Sequence, residues 1–253
     1  MSRDLLKCNK LNKWYGNLHA LKDVDLEINK GEVIGLIGDN GAGKSTLIKI
    51  ICGVHGLDKG DIYFEGNKVS IKNPKQAMDL GIETIHQYNT MFQEMSIARN
   101  VFIGREPTKY GLNSLSVLNE EKMNLESMKA IKDVGLDLRS PHIPVKELSG
   151  GERQGVAIAR SMYFKSKMLI LDEPTNHLSV KETLKVLEYV KSLKSMGIGS
   201  IFISHNLYHV HEIADRIVGM ARGEKVCDMP KEDTTVNEPV SYTHLTLPTK
   251  RIV

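Results

Sequence analysis

Apolar and polar positions along the chain repeat with two periods, and the alternation between them outlines the fold. Across residues 1–30 the pattern is that of short strands with turns, clearest where Val24, Leu26 and Ile28 alternate with Asp25 and Glu27. Val33-Ile34-Gly35-Leu36-Ile37 is a short apolar run between Gly31 and Gly38, as expected of a strand buried on both faces. The next segment, LIKIICG, predicts a helix ending near Gly53 or Gly56, and DIYFEGNKVSI predicts a hairpin with Gly66-Asn67 at its tip. From about Asn89 to Lys165 the chain turns Met-, Glu- and Lys-rich and helical in period, with EEKMNLESMKAIKDVGL the clearest helix. Strand character returns at residues 168–172. A helix follows with Leu184, Leu187, Val190 (or Lys191) and Leu193 on one face, then a strand at 201–204, a helix through Ala214 and a closing hairpin, IVGMARGEKVCDM.

Strands alternating with helices predict an α/β fold with a mostly parallel sheet, into which residues 88–165 insert a helical subdomain. No internal repeat is visible, so residues 1–238 are expected to form one domain. Residues 239–253 carry no period linked to what precedes them and are set apart as an unrelated or disordered tail.

Composition changes this picture little. Of 253 residues, 41% are apolar and 26% charged, which is enough to build a core, and 34 Lys and Arg against 31 Asp and Glu leave a net charge of +3. That balance does not suggest a nucleic-acid-binding face. With neither a long apolar run nor a secretory leader, the expectation is a soluble cytoplasmic chain. Cys8, Cys52 and Cys227 are too far apart for a metal-ligand motif and suit buried thiols. His209 and His211 stand two apart, on different sides of a helix, and are not read as a metal pair.

Candidate chemistry begins at Gly38-Asp39-Asn40-Gly41-Ala42-Gly43-Lys44-Ser45, which fits G-x-x-x-x-G-K-[ST] between a strand and a helix. Glycines let the backbone turn tightly and aim N–H groups at phosphate oxygens, and the helix start adds positive potential. Lys44 can reach the β- and γ-phosphates, and the Ser45 hydroxyl can ligate Mg²⁺. About 130 residues on, an apolar strand ends in Asp172 and Glu173, suited to hold Mg²⁺ through its water shell and to polarise an attacking water. His205 follows the strand at 201–204 and has two readings, a γ-phosphate contact or a structural hydrogen bonder. Ser149, Gly150, Gly151 and Glu152 also have two compatible readings, a helix capping box and a second anion site.

The phosphate loop at 38–45, Gln87 in TIHQY, LSGGERQ at 148–154, LILDEPT at 169–175 and ISH at 203–205 together resemble the ABC ATPase family, in order and in spacing, over residues 5 to about 238. The resemblance implies a P-loop NTPase (ABC ATPase) fold with a parallel-sheet core, an antiparallel β subdomain and the inserted α-helical subdomain. It implies that ATP and Mg²⁺ are bound, that Thr46 joins the phosphate-binding residues, and that Tyr15 stacks on adenine. Gln87 would sense the γ-phosphate at the metal and relay it to a membrane partner. Two such subunits would pair head to tail, so that Ser149, Gly150 and Gly151 contact the other subunit's ATP.

Residues 95–107, 178–187 and 203–217 look similar to the ATPases of monosaccharide importers, here the branch with a single ATPase unit. That implies membrane-spanning permease subunits, an extracytoplasmic sugar-binding protein acting indirectly, no nucleic-acid partner, and a peripheral place on the cytoplasmic face of the inner membrane. PTNHL at 174–178 is also the phrasing of ribosome-associated ABC proteins. Those carry two ATPase units in one chain, a long charged linker and a more basic balance, and here Ser179-Val180-Lys181-Glu182 continues in the importer pattern.

Overall fold

The computed structural model describes residues 4–85, 91–109, 116–176 and 178–233. They form two compact units. The first comprises Met1–Thr84, Lys167–Glu173 and Val190–Val253, and the second Ile85–Ser166 and Pro174–Tyr189.

The first unit holds two sheets. Strands β1 (Asp4–Tyr15), β2 (Leu18–Asn29), β4 (Lys59–Phe64) and β5 (Asn67–Val69) form an antiparallel sheet in the order β2-β1-β4-β5. In β2, Leu21, Val24, Leu26 and Ile28 are buried while Asp25 and Glu27 are exposed, so the alternation read from the sequence is that of a sheet with one wet face. The second sheet runs β10-β9-β3-β8-β7-β6, built from β10 (Glu224–Pro230), β9 (Arg216–Ala221), β3 (Val33–Ile37), β8 (Gly199–Ile203), β7 (Met168–Asp172) and β6 (Ile82–Ile85). Strands β9, β3, β8 and β7 are mutually parallel, and β10 returns antiparallel along β9. All five residues of β3 and of β8 are buried, as the unbroken apolar runs predict for strands covered on both faces.

Helix α1 (Lys44–Ile51) contributes Leu47, Ile48, Ile50 and Ile51 to a buried cluster that also takes Leu6, Leu26 and Phe64 from the antiparallel sheet and Leu36, Ile170 and Ile203 from the parallel one. Each such side chain removed from water contributes roughly 1.5–3 kcal/mol. All three cysteines are buried, and burial pushes the Cys8 thiol up to about 12 and the Cys52 thiol up to about 11, so neither is a ready thiolate.

Several local expectations need correction. Residues 1–30 are not short strands but two strands of 12 residues each, bent at Lys10 and Asp23, both at φ 46°. There Asp25 accepts from the Lys10 N–H at 2.7 Å and Asp23 accepts from the Asn12 amide at 2.8 Å, so polar residues that look like turn formers support bulges instead. The β4–β5 hairpin pairs Phe64 with Asn67, which places Glu65 and Gly66 (φ 49° and 80°) at its tip, one residue earlier than read. Helix α2 (Pro74–Leu80) and β6 were not singled out, being too short to show a period. Still, Asn73 caps the start of α2 and Gly81 at φ 94° ends it.

On α6 (Val180–Ser195) Leu184 is half exposed, and the buried positions are Thr183, Val186, Leu187, Val190 and Leu193. A helix wheel cannot tell which edge of an apolar stripe meets the core.

In the second unit, α3 (Ile97–Phe102), α4 (Glu120–Asp133) and α5 (Gly150–Tyr163) pack through Val101 and Phe102, Met123 and Ile131, and Val156 and Ala159. Phe102 meets Tyr163 and Phe164 edge-on at 4.9 and 5.8 Å. Buried Asn100 donates to the carbonyls of Phe92, Met95 and Ser96 and accepts from the Phe92 N–H, which ties down the turn before α3. Helix α4 stops before its apparent sequence end because Gly135, at φ 76°, folds the Gly135 and Leu136 N–H groups back onto the carbonyls of Lys132 and Ile131.

Helix α7 (Leu207–Ile213) lies on β3 at Gly35, where a Cβ would come within 2.2 Å of Val210 Cγ1. Gly35→Ala is expected to cost about 1–3 kcal/mol by overpacking. Val210→Ala, which removes the clashing methyl, should be less damaging combined with Gly35→Ala than their separate costs predict. Thermal denaturation of the two single variants and the double variant measures this coupling, and strict additivity would contradict the packing assigned here.

Candidate functional site

The parallel register aligns the strand ends. Leu36 pairs with Ile203, and Ile203 pairs with Asp172, so β3, β8 and β7 finish level with one another. Three chain segments leave this edge: the phosphate loop after β3, Glu173 after β7 and His205 after β8. The C-terminal edge of a parallel sheet is where ligands bind in such folds.

Asp39 to Thr46 and Tyr15, together with His19, Lys22 and Arg222, line a cavity of about 640 Å³. Gly38, at φ 148°, leaves no room for a side chain, since a Cβ would lie 2.3 Å from the Met220 carbonyl. Gly43 at φ 103° is the first cap of α1, and no side chain accepts from the helix start, nor is there an acidic residue in its first turn. By contrast, α2, α3, α4, α5 and α7 all begin with a side chain accepting from the backbone, from Asn73, Ser96, Asn119, Ser149 and Asn206. An uncapped helix start facing a cavity offers free N–H donors and positive potential to an anion.

Lys44 Nζ donates to the carbonyls of Gly38 at 2.6 Å and Asp39 at 3.1 Å, which tethers the ammonium inside the loop. Burial pushes the Lys44 ammonium below its ordinary range, while Glu173, Asp172 and Asp39 pull it back.

Glu173 is the most constrained residue of the site. Its backbone is left-handed at φ 52°, a conformation costing a non-glycine residue about 1–2 kcal/mol, and its N–H donates to the Ile203 carbonyl at 2.9 Å. Its side chain is buried, and neither carboxylate oxygen has a well-aligned hydrogen bond. His205 Nε2 lies 3.3 Å from Oε1, close enough to attract but not aligned as a bond. Burial raises the Glu173 carboxyl above the ordinary carboxylate range; His205, through its ring and its backbone N–H, and the Ser204 hydroxyl oppose the shift, and Asp172 adds to it. A buried, strained carboxylate with no well-aligned hydrogen bond is costly.

The residues fit a nucleotide with Mg²⁺. Among the described residues no group of three or more His, Cys, Asp or Glu could cage a metal. Mg²⁺ keeps several waters and asks for only one or two protein oxygens plus phosphates, which Asp172 at the strand end and Ser45 at the loop can supply.

Tyr15 lies at the end of β1, 40% exposed, with its ring edge-on to His55 at 5.5 Å. Lys44, Asp172, Glu173 and His205 therefore gather in the first unit along with the cavity and Tyr15. Ser149, Gly150 and Gly151 belong to the second unit, at the start of α5. There the capping-box reading has its structural counterpart. Ser149 Oγ accepts from the Glu152 N–H at 3.2 Å while Glu152 accepts from the Ser149 N–H at 2.7 Å, a complete capping box. The Gly151 N–H, meanwhile, already donates to an anion, Glu182 Oε1 at 2.9 Å, and this bond with those from Ser179 holds the Glu182 carboxyl at about 2. Gln87 lies outside the described residues, as does the segment from 234 onward.

Sequence reasoning missed Glu182, Lys22 and Arg222. Glu182 was visible as the fourth position of a Ser-x-x-Glu cap at Ser179, but nothing local tied it to Gly151.

The family described as ABC transporter matches residues 21–176. The chain is 46% identical over 235 residues to a xylose/arabinose import ATP-binding protein of Sulfolobus acidocaldarius, covering 93% of this chain and 92% of that protein. It is 39% identical over 241 residues to a fructose import ATP-binding protein of Rhizobium meliloti, covering 94% and 93%. Among solved structures, the ADP conformation of an ATP-binding cassette of an ABC transporter aligns with a TM-score of 0.80 at 28% identity, over 96% of this chain and 95% of that one. Together with a level strand edge that carries the phosphate loop and a buried carboxylate, these likenesses show that the chain belongs to the ABC transporter family and is an ATP-binding ATPase subunit of it.

Proposed function

We propose that this subunit binds and hydrolyses Mg·ATP, as a head-to-tail pair with a second ATPase subunit, to power import of a monosaccharide through separate membrane-spanning subunits. The observation that carries the ATPase part is Glu173, a buried carboxylate with no aligned partner, level with the phosphate loop's strand. The sugar part rests on the relatives' names, which favour an importer over the ribosome-associated alternative. The subunit would sit on the cytoplasmic face of the membrane, with an extracytoplasmic binding protein choosing the sugar.

In this reading Gly38 to Thr46 cradle the phosphates with backbone N–H groups, and Lys44 leaves its two carbonyls for the β- and γ-phosphate oxygens. Ser45 and Asp172 would hold Mg²⁺, which neutralises charge on the phosphates, with Gln87 joining them at the γ-phosphate. Glu173 accepts the proton of the attacking water as its oxygen bonds to the γ-phosphorus and the bond to the departing ADP oxygen breaks. His205, beside Glu173, contacts the γ-phosphate, and Tyr15 stacks on adenine. Ser149, Gly150 and Gly151 bridge to the γ-phosphate on the opposite subunit, so hydrolysis removes the bridge and the pair reopens.

Lys44→Ala should abolish Mg·ATP binding in calorimetry, and an unchanged affinity would remove the phosphate-loop assignment. Glu173→Gln should bind Mg·ATP, lose turnover and accumulate as an ATP-dependent dimer in light scattering. A variant that stays monomeric at saturating Mg·ATP would remove the closure mechanism. Because Glu173 must be ionised to act and its carboxyl is raised by burial, ATPase activity should rise with pH on a limb centred above the ordinary carboxylate range. A limb centred at or below that range would show that another group is titrating.

A further inference from the structure

Two hairpins of the first unit close on two-residue turns in which both residues have positive φ. They are Glu65-Gly66 (49° and 80°) and Arg222-Gly223 (51° and 84°). The first slot of such a turn suits Asn, Asp or Gly, and a long side chain is disfavoured there. At Glu65 the reason for the exception is plain. Its carboxylate accepts from Lys30 at 2.7 Å and from Lys167 at 2.5 Å. Arg222 has no such use, because among the described residues its side chain makes no ion pair or hydrogen bond. It lines the cavity above the phosphate loop instead.

The turn is stitched to that loop. The Gly223 N–H donates to the Ala42 carbonyl at 2.9 Å, and the Gly223 carbonyl accepts from the Lys22 N–H at 2.8 Å. A Cβ on Gly223 would lie 2.7 Å from the Ala20 carbonyl, so only glycine allows this approach. Arg222 is thereby carried on the same backbone that shapes the phosphate site. Nearby, the Lys22 ammonium is paired with Glu224 at 3.0 Å, while Arg222 makes no ion pair among the described residues, Asp39 being the one carboxylate that lines the same cavity. A guanidinium left unpaired at the wall of an anion site is chemically matched to phosphate oxygens, which it can bind in pairs.

We propose that Arg222 is a nucleotide-binding residue, a cation carried by the β9–β10 turn that binds the polyphosphate of the nucleotide held in the phosphate loop. This deepens the nucleotide-site reading above and rests on it. The unfavourable turn residue is then kept for binding rather than for folding.

The test is calorimetric titration of Mg·ADP and of adenosine into the full chain, wild type against Arg222→Asn and Arg222→Lys, at low and high KCl. Arg222→Asn suits the turn and should raise Tm, yet weaken Mg·ADP binding about five- to tenfold, with a flatter salt dependence. Arg222→Lys should keep most of the affinity, and adenosine binding should be the same in all three. Mg·ADP affinity of Arg222→Asn within about twofold of wild type at low salt would overturn the proposal, as would an equal loss for adenosine, which would mean a base contact. Failure of the wild type itself to bind Mg·ADP would overturn the nucleotide site and Arg222 together, whereas normal wild-type binding with indifferent Arg222 variants would overturn Arg222 alone.

Discussion

The site depends on one constraint, the parallel register that brings Leu36, Ile203 and Asp172 level across β3, β8 and β7. Adjacent strands stand about 4.8 Å apart, so the phosphate loop and the Asp172-Glu173 pair leave the sheet about 10 Å from each other, with the His205 segment between them. A one-residue slip in any of these pairings would turn every side chain of that strand to the other face. Burial of β3 and β8 on both sides makes such a slip expensive, so core packing and site geometry are held by the same contacts.

That rigid edge supports groups which would be unfavourable elsewhere. Helix α1 starts without a cap, Lys44 is tethered by carbonyls in a half-buried place, and Glu173 is strained and held by no well-aligned hydrogen bond. Each is a local cost; the uncapped helix start and Lys44 line the cavity, and Glu173 leaves the same sheet edge two strands away. The start of α5 differs. Its capping box is complete, and Glu182 already occupies the Gly151 N–H, so an incoming phosphate there would meet a carboxylate in place.

How much was legible in the residues follows the range of the interactions involved. The phosphate loop, the carboxylate pair and His205 were legible because each follows a strand whose apolar run is unmistakable. The uninterrupted strands of the antiparallel sheet were not, because Lys10 and Asp23 look like turn residues until Asp25 and Asn12 are seen to support the bulges. On α6 Leu187, Val190 and Leu193 share a buried face, and Leu184 lies at its exposed edge. Helical period gives the width of an apolar stripe, and tertiary packing chooses which edge is covered.

Period, glycine placement and short-range backbone chemistry suffice to read the buried runs of the parallel sheet and the phosphate-loop motif between β3 and α1 from the residues alone. It takes the folded chain to bury Glu173 without an aligned partner, to bring Glu182 to Gly151 from 31 residues away, and to carry Arg222 to the phosphate loop from some 180 residues further along the chain. Burial and long-range hydrogen bonds are properties of neighbours in space, and chain spacing carries no record of them.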